Sequence, residues 1–162
     1  MVKSGLAGLA LFVAVFAAAG TANADCGART IAGRYTFTVH GTILSDDGTG
    51  TTGVIDGVGV IEFSENGTLS QEDFVVRNGV EVPGGPPNPS GFHTGENGTY
   101  TLSSDCTGTA HIVLGAGNER FLALVTSADG NKIHAVVSSA LVGGSPTLLQ
   151  VYSDFERSIP LR

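Results

Sequence analysis

The chain has 162 residues, with 15 acidic against 8 basic side chains and a formal net charge of −7. That balance excludes a nucleic-acid-binding surface and attraction to anionic membranes, both of which need clustered lysine and arginine. The length suits one domain with a core of its own.

The first residues read as an export signal. Lys3 supplies a positive charge, Leu6 to Ala19 form an apolar run, and Ala22-Asn23-Ala24 places small residues where a signal peptidase reads. The run falls short of the ~20 residues a membrane-spanning helix needs, so no retained anchor is expected. Asp25 and Asn23 do not fit the lipid-attachment pattern before Cys26. The expectation is a signal peptide over 1–24 and a secreted or periplasmic domain over 25–162, its net charge one unit more negative after loss of Lys3. In an oxidising compartment the isolated pair Cys26 and Cys106 is most simply a disulfide. No histidine neighbours either cysteine and no second pair completes a zinc set.

Beyond residue 30 short β-patterned runs alternate with glycine-rich turns. Tyr35, Phe37, Val39 and Ile43 share one parity, while Arg34, Thr36, Thr38, His40 and Thr42 share the other. A second run, Gly53 to Ser64, ends at Glu65-Asn66-Gly67, a strong hairpin signal. The third, Thr68 to Arg77, carries Phe74 and Val76 on one parity. A loop over 78–91 follows, and its prolines (Pro83, Pro86, Pro87, Pro89) argue against ladder pairing. Further strands are expected near Phe92–Leu102, Cys106–Leu114, Arg120–Thr126, Lys132–Leu141 and Thr147–Glu156. Asp129-Gly130 forms another tight turn.

No stretch has helical periodicity. The predicted fold class is all-β: eight antiparallel strands in sequential hairpins close most simply into an up-and-down barrel, which leaves no edge exposed. A two-sheet sandwich is the alternative.

Three stretches carry a resemblance to secreted bacterial barrels of the calycin or lipocalin-like kind. They are Gly33-Arg34-Tyr35-Thr36-Phe37, Gly57-Val58-Gly59-Val60-Ile61-Glu62-Phe63 with Asn66-Gly67, and Gly98-Thr99-Tyr100-Thr101-Leu102 running into Asp105-Cys106-Thr107-Gly108-Thr109. The plan also resembles the allene-oxide-cyclase-like barrels. Tyr35 stands where lipocalins carry tryptophan. The late arginine that packs over that aromatic in the family is matched in position by Arg157. The resemblance implies a barrel that binds a small apolar ligand or serves in structural association, or else a cofactor-free cyclase or isomerase. It carries over no catalytic residue.

The residues themselves offer few sites. His40, His93, His111 and His134 lack metal-binding spacing. His40 and His111 lie among polar neighbours and are expected to point outward, while His93 adjoins the proline-rich loop. Asp46-Asp47-Gly48-Thr49-Gly50 lacks the alternating ligands of a calcium loop. No metal and no cofactor is expected. The aromatics Tyr35, Phe37, Phe63, Phe74, Tyr100 and Phe121 are read as core-facing, filling the barrel or lining a cavity for a small apolar ligand. Phe121-Leu122-Ala123-Leu124-Val125 is apolar on both parities and Ile133 to Val137 nearly so. One parity must therefore lie outside, and a homo-oligomer through this hairpin is expected.

Overall fold

The computed structural model describes residues 25–158; the signal reading falls outside them. A single helical turn, α1 (Ala28–Ile31), precedes β1 (Gly33–Leu44), β2 (Thr51–Phe63), β3 (Thr68–Arg77), the two-residue β4 (Val80–Glu81), β5 (His93–Leu102), β6 (Thr107–Gly115), β7 (Asn118–Thr126), β8 (Lys132–Val142), the two-residue β9 (Ser145–Pro146) and β10 (Leu149–Arg157). Every pairing is antiparallel. The ring runs β1-β2-β3-β5-β6-β7-β8-β10 and closes because β10 pairs with both β8 and β1. This is the closed eight-stranded barrel the alternation predicts, with β4 on β3 and β9 on β8 as additions outside the ring.

Alternation drives closure. Along β1, Tyr35, Phe37 and Ile43 are buried, while Arg34, Thr36 and Thr38 are exposed. The Asn66-Gly67 and Asp129-Gly130 turns form, with Gly67 and Gly130 at positive φ. At Gly130 a Cβ would lie 1.9 Å from the Thr30 carbonyl oxygen, so that turn and the α1 segment can meet only through glycine.

The two barrel ends differ. At one, α1 lies across the opening, and Ile31, Tyr35, Phe63, Leu69, Tyr100, Ile133 and Phe155 belong to one buried cluster. Arg157 covers Tyr35, its guanidinium carbon 4.9 Å from the ring centroid. Its Nη1 donates to the Ala32 carbonyl at 2.7 Å, and its Nη2 to those of Thr30 at 2.8 Å and Gly130 at 3.1 Å. The Tyr35 hydroxyl donates to the Gly130 carbonyl. Burial pushes that hydroxyl up to about 12, so it stays a donor. Tyr100 donates to the Ala28 and Ser64 carbonyls. Cys26 and Cys106 are joined at this end, their Cα atoms 5.0 Å apart.

The other end is open. Around its rim stand the β1–β2, β3–β5, β6–β7 and β8–β10 connections, over a small apolar layer of Ile43, Ile55 and Val151.

Several details depart from the sequence expectations. The absence of any helix is corrected by α1. The proline-rich loop does join the ladder: Val80–Glu81 pairs with β3, and Pro87 bridges His93. Proline lacks a donor, but the loop accepts instead, the Pro86 carbonyl from the Thr94 N–H at 3.0 Å. Phe74 and Phe121 lie on the outer wall. Phe74 packs against Phe92 and Phe121 stacks on His111, ring centroids 4.3 Å apart. In the β6–β8 hairpin pair, Leu122 and Leu124 face inward, leaving Ala123, Val125 and Val136 outside.

The disulfide closes a loop of sequence separation 80. Replacing both cysteines by serine is expected to cost about 4 kcal/mol of unfolding free energy on the chain-entropy argument. Urea unfolding of the two proteins measures it.

Candidate functional site

Above the filled end the barrel encloses a cavity of about 90 Å³. Its apolar walls include Phe37, Val39, Ile55, Ile112, Leu122, Val137, Val151 and Phe155; Gln71, Asp73, His93, Glu96 and Arg120 line it too. It shares Ile55, Val82, Pro83, Asn118, Arg120 and Leu149 with a wider vestibule of about 650 Å³ at the rim.

The polar group comes from three strands. On β3 the inward parity is Leu69, Gln71, Asp73 and Val75, the parity opposite to Phe74 and Val76. On β5 both His93 and Glu96 are buried. Residues three apart on a regular strand face opposite sides. Here Asp73 pairs with His93 and Gln71 with Glu96, so β5 carries one residue more than β3 between these pairs. Gly95, at φ +76°, sits in that bulge. The extra residue resets the alternation and turns both side chains inward. Arg120 enters from β7.

Gln71 ties the carboxyl groups together: its Nε2 donates to Asp73 Oδ2 at 3.1 Å and to Glu96 Oε2 at 2.9 Å. His93 stands between two acids, Nδ1 3.5 Å from Asp73 Oδ1 and Nε2 3.0 Å from Glu81 Oε1. Arg120 Nη1 donates to the Glu119 and Leu141 carbonyls, which hold the guanidinium at the junction of cavity and vestibule. Asp73, His93 and Glu96 each offer one donor atom within 4.8 Å of the others, a set that can hold a metal ion.

Burial first, and then repulsion from Asp73, pushes the Glu96 carboxyl up from 4.5 to about 8, against the opposing Gln71 and Gly85 donors. Burial also raises Asp73, opposed chiefly by His93.

Of the six aromatics read as ligand-binding, Phe37 lines the cavity. Tyr35, Phe63 and Tyr100 lie in the filled end, and Phe74 and Phe121 lie outside. Outward placement holds for His40, which bonds Asp56 at 2.7 Å, and for the half-exposed His111, which bonds Glu119 at 2.7 Å. The Asp47 carboxylate is spent inside its own turn, accepting from Ser45 and Thr49. Gln71, Asp73, Glu96 and Arg120 escaped the sequence reading. For Gln71 and Asp73 the one signal was a polar parity on β3 where the apolar one looked like the core.

The chain matches no protein-family model, and no curated protein matches it.

An acid raised in the folded state contributes stability that is complete below its unfolded value and lost as pH rises through the folded one. Unfolding free energy is therefore expected to fall between about pH 4.5 and pH 8, by up to about 4 kcal/mol from Glu96. In Glu96→Gln this slope should flatten. Chemical denaturation across that range in buffer free of divalent ions checks it.

Proposed function

We propose that the protein is an exported, calycin-like barrel that binds a compact, largely apolar molecule with one hydrogen-bonding end. The observation that carries this reading is the cavity: apolar on most of its wall, polar on one side, and open to the rim through Arg120 and Asn118. Ligand pockets have this character, apolar walls that supply affinity and a few polar groups that fix orientation. The volume sets the scale. A void of about 150 Å³ accommodates benzene in another protein, so the enclosed part takes a group of a few heavy atoms, with the remainder in the vestibule.

The calycin-like reading is supported by the closed eight-stranded ring and by Arg157 packed over the first-strand aromatic Tyr35. Export is supported by the N-terminal pattern and by the disulfide.

A second reading, a cofactor-free isomerase or cyclase, is favoured by one observation. Two buried carboxyl groups share one amide beside an apolar void, and proton transfer within a bound substrate needs one group to take a proton and one to give it.

Val137 lies on the apolar wall away from the polar group. In Val137→Trp the indole should fill the cavity and abolish binding while the far-ultraviolet circular dichroism stays that of the barrel. The measurement is thermal stabilisation by a panel of small aromatic and aliphatic alcohols and acids. Wild-type protein that no member of the panel stabilises, or a variant stabilised equally, counts against ligand binding.

A further inference from the structure

Gln71, Asp73, His93 and Glu96 are each more than nine-tenths buried on the polar wall of the cavity. Asp73, His93 and Glu96 come from two strands, and each brings one donor atom within 4.8 Å of the others. His93 lies between two carboxyl groups, Nδ1 3.5 Å from Asp73 Oδ1 and Nε2 3.0 Å from Glu81 Oε1. With Nε2–H donating to Glu81, Nδ1 keeps a lone pair on the Asp73 side, as a metal ligand needs.

We propose that Asp73, His93 and Glu96 form a site for a divalent first-row metal ion of the zinc type, with the Gln71 amide oxygen as fourth ligand. The spacing fits. With bonds of about 2.1 Å, ligand atoms stand about 3.0 Å apart in an octahedral shell and about 3.4 Å apart in a tetrahedral one. Here the Gln71 amide lies 2.9 Å from Glu96 Oε2 and 3.1 Å from Asp73 Oδ2, His93 Nδ1 lies 3.5 Å from Asp73 Oδ1, and the Asp73, His93 and Glu96 donor atoms are all within 4.8 Å of one another. Rotating the Gln71 amide by half a turn presents its oxygen where Nε2 now lies, between the two carboxylates. Glu81 holds the far nitrogen of the ring, as the outer carboxylate does for most metal-bound histidines. The imidazole donor selects a zinc-type ion over magnesium or calcium, which take oxygen. All four residues line the cavity, so a shell with more than four positions would receive the polar end of whatever enters. The ion does not depend on a ligand being bound, and it stands if the cavity holds only water.

The test uses the exported protein, dialysed against chelator and titrated with Zn²⁺ by calorimetry and with Co²⁺ by visible absorption. One ion per chain is expected, with the cobalt band of a nitrogen-ligated site. His93→Gln and Asp73→Asn should weaken binding by 10-fold or more. His134→Gln, in an exposed His–Asp pair on the outer wall, should leave it unchanged. Should the buried variants fail to fold, Glu81→Gln on the exposed side of His93 should still weaken binding about 10-fold. Val137→Trp keeps the ion while losing any small-molecule ligand, which separates this inference from ligand binding. No saturable binding, or binding that survives in both His93→Gln and Glu81→Gln, overturns it.

Discussion

Everything above the closed end of the barrel depends on how Arg157 satisfies three backbone carbonyls. The α1 segment crosses the barrel opening, where the carbonyls of Thr30 and Ala32 have no strand partner. Arg157 bonds both, adds Gly130 in the β7–β8 turn, and lies over the Tyr35 ring. A guanidinium suits this because its donors form a planar fork while its face stacks on an aromatic ring. Without it, the part-buried carbonyls of Thr30 and Ala32 would go unpaired, at a cost of about 1–3 kcal/mol each. The same contact draws together the start of the domain, its last strand and the β7–β8 turn. Once this end is sealed, Tyr35, Phe63, Tyr100 and Phe155 fill it. An eight-stranded barrel is only wide enough to be filled or to hold one small ligand. Here the filled half is aromatic, and the hollow half is lined by aliphatic side chains with Phe37 and Phe155 at its base.

The hollow half carries a polar cluster that folding alone does not need. Gln71, Asp73, His93 and Glu96 are all buried, and burying such groups costs stability unless each finds a partner. The partners are there: the Gln71 amide spans Asp73 and Glu96, and the His93 imidazole stands between Asp73 and Glu81. Only the bulge at Gly95 makes this possible, because it puts His93 and Glu96 on the same face of one strand. A regular β5 would send one of them into solvent, leaving either an unpaired carboxyl or an unpaired ring inside. Strain and burial spent on a single patch of an otherwise apolar interior mark a place shaped for chemistry or binding.

The ring itself was legible in the amino-acid pattern. Strict alternation in β1, Asn-Gly and Asp-Gly turns, and the absence of any helical period lead directly to eight antiparallel strands, and the lone cysteine pair leads to its bridge. The site was hidden by the same logic. On β3, Phe74 and Val76 share a parity with Glu72, while the other parity carries Gln71 and Asp73, so reading apolar as inward selects the wrong parity. The inward residues are Gln71 and Asp73, polar because they build the site. Phe121 misleads in the same way: on β7 both parities are apolar, and pattern cannot choose between them. It is the imidazole of His111, one strand over, that gives Phe121 an outer stacking partner. The bulge in β5 is a pairing event between strands, visible only once β3 and β5 are laid side by side.

The proline-rich loop owes its composition to the same site. A Cβ on Gly84 would lie 2.5 Å from His93 Nδ1, and one on Gly85 would lie 1.9 Å from the Thr94 carbonyl oxygen. Only glycine lets the loop backbone lie against the ring and offer the Gly85 N–H to Glu96. The prolines that follow restrict the backbone, and the Pro86 carbonyl accepts from both the N–H and the hydroxyl of Thr94. Asn88 caps the turn through Ser90 and Phe92. Upstream, Glu81 sits on the two-residue strand β4, which is what carries its carboxylate to His93. The loop is thus a fixed wall of the cavity, tied to β3 at one side and to β5 at the other. The cavity therefore opens to the rim beside Arg120 and Asn118, and the guanidinium stands across from the carboxyl groups of Asp73 and Glu96 on the same lining.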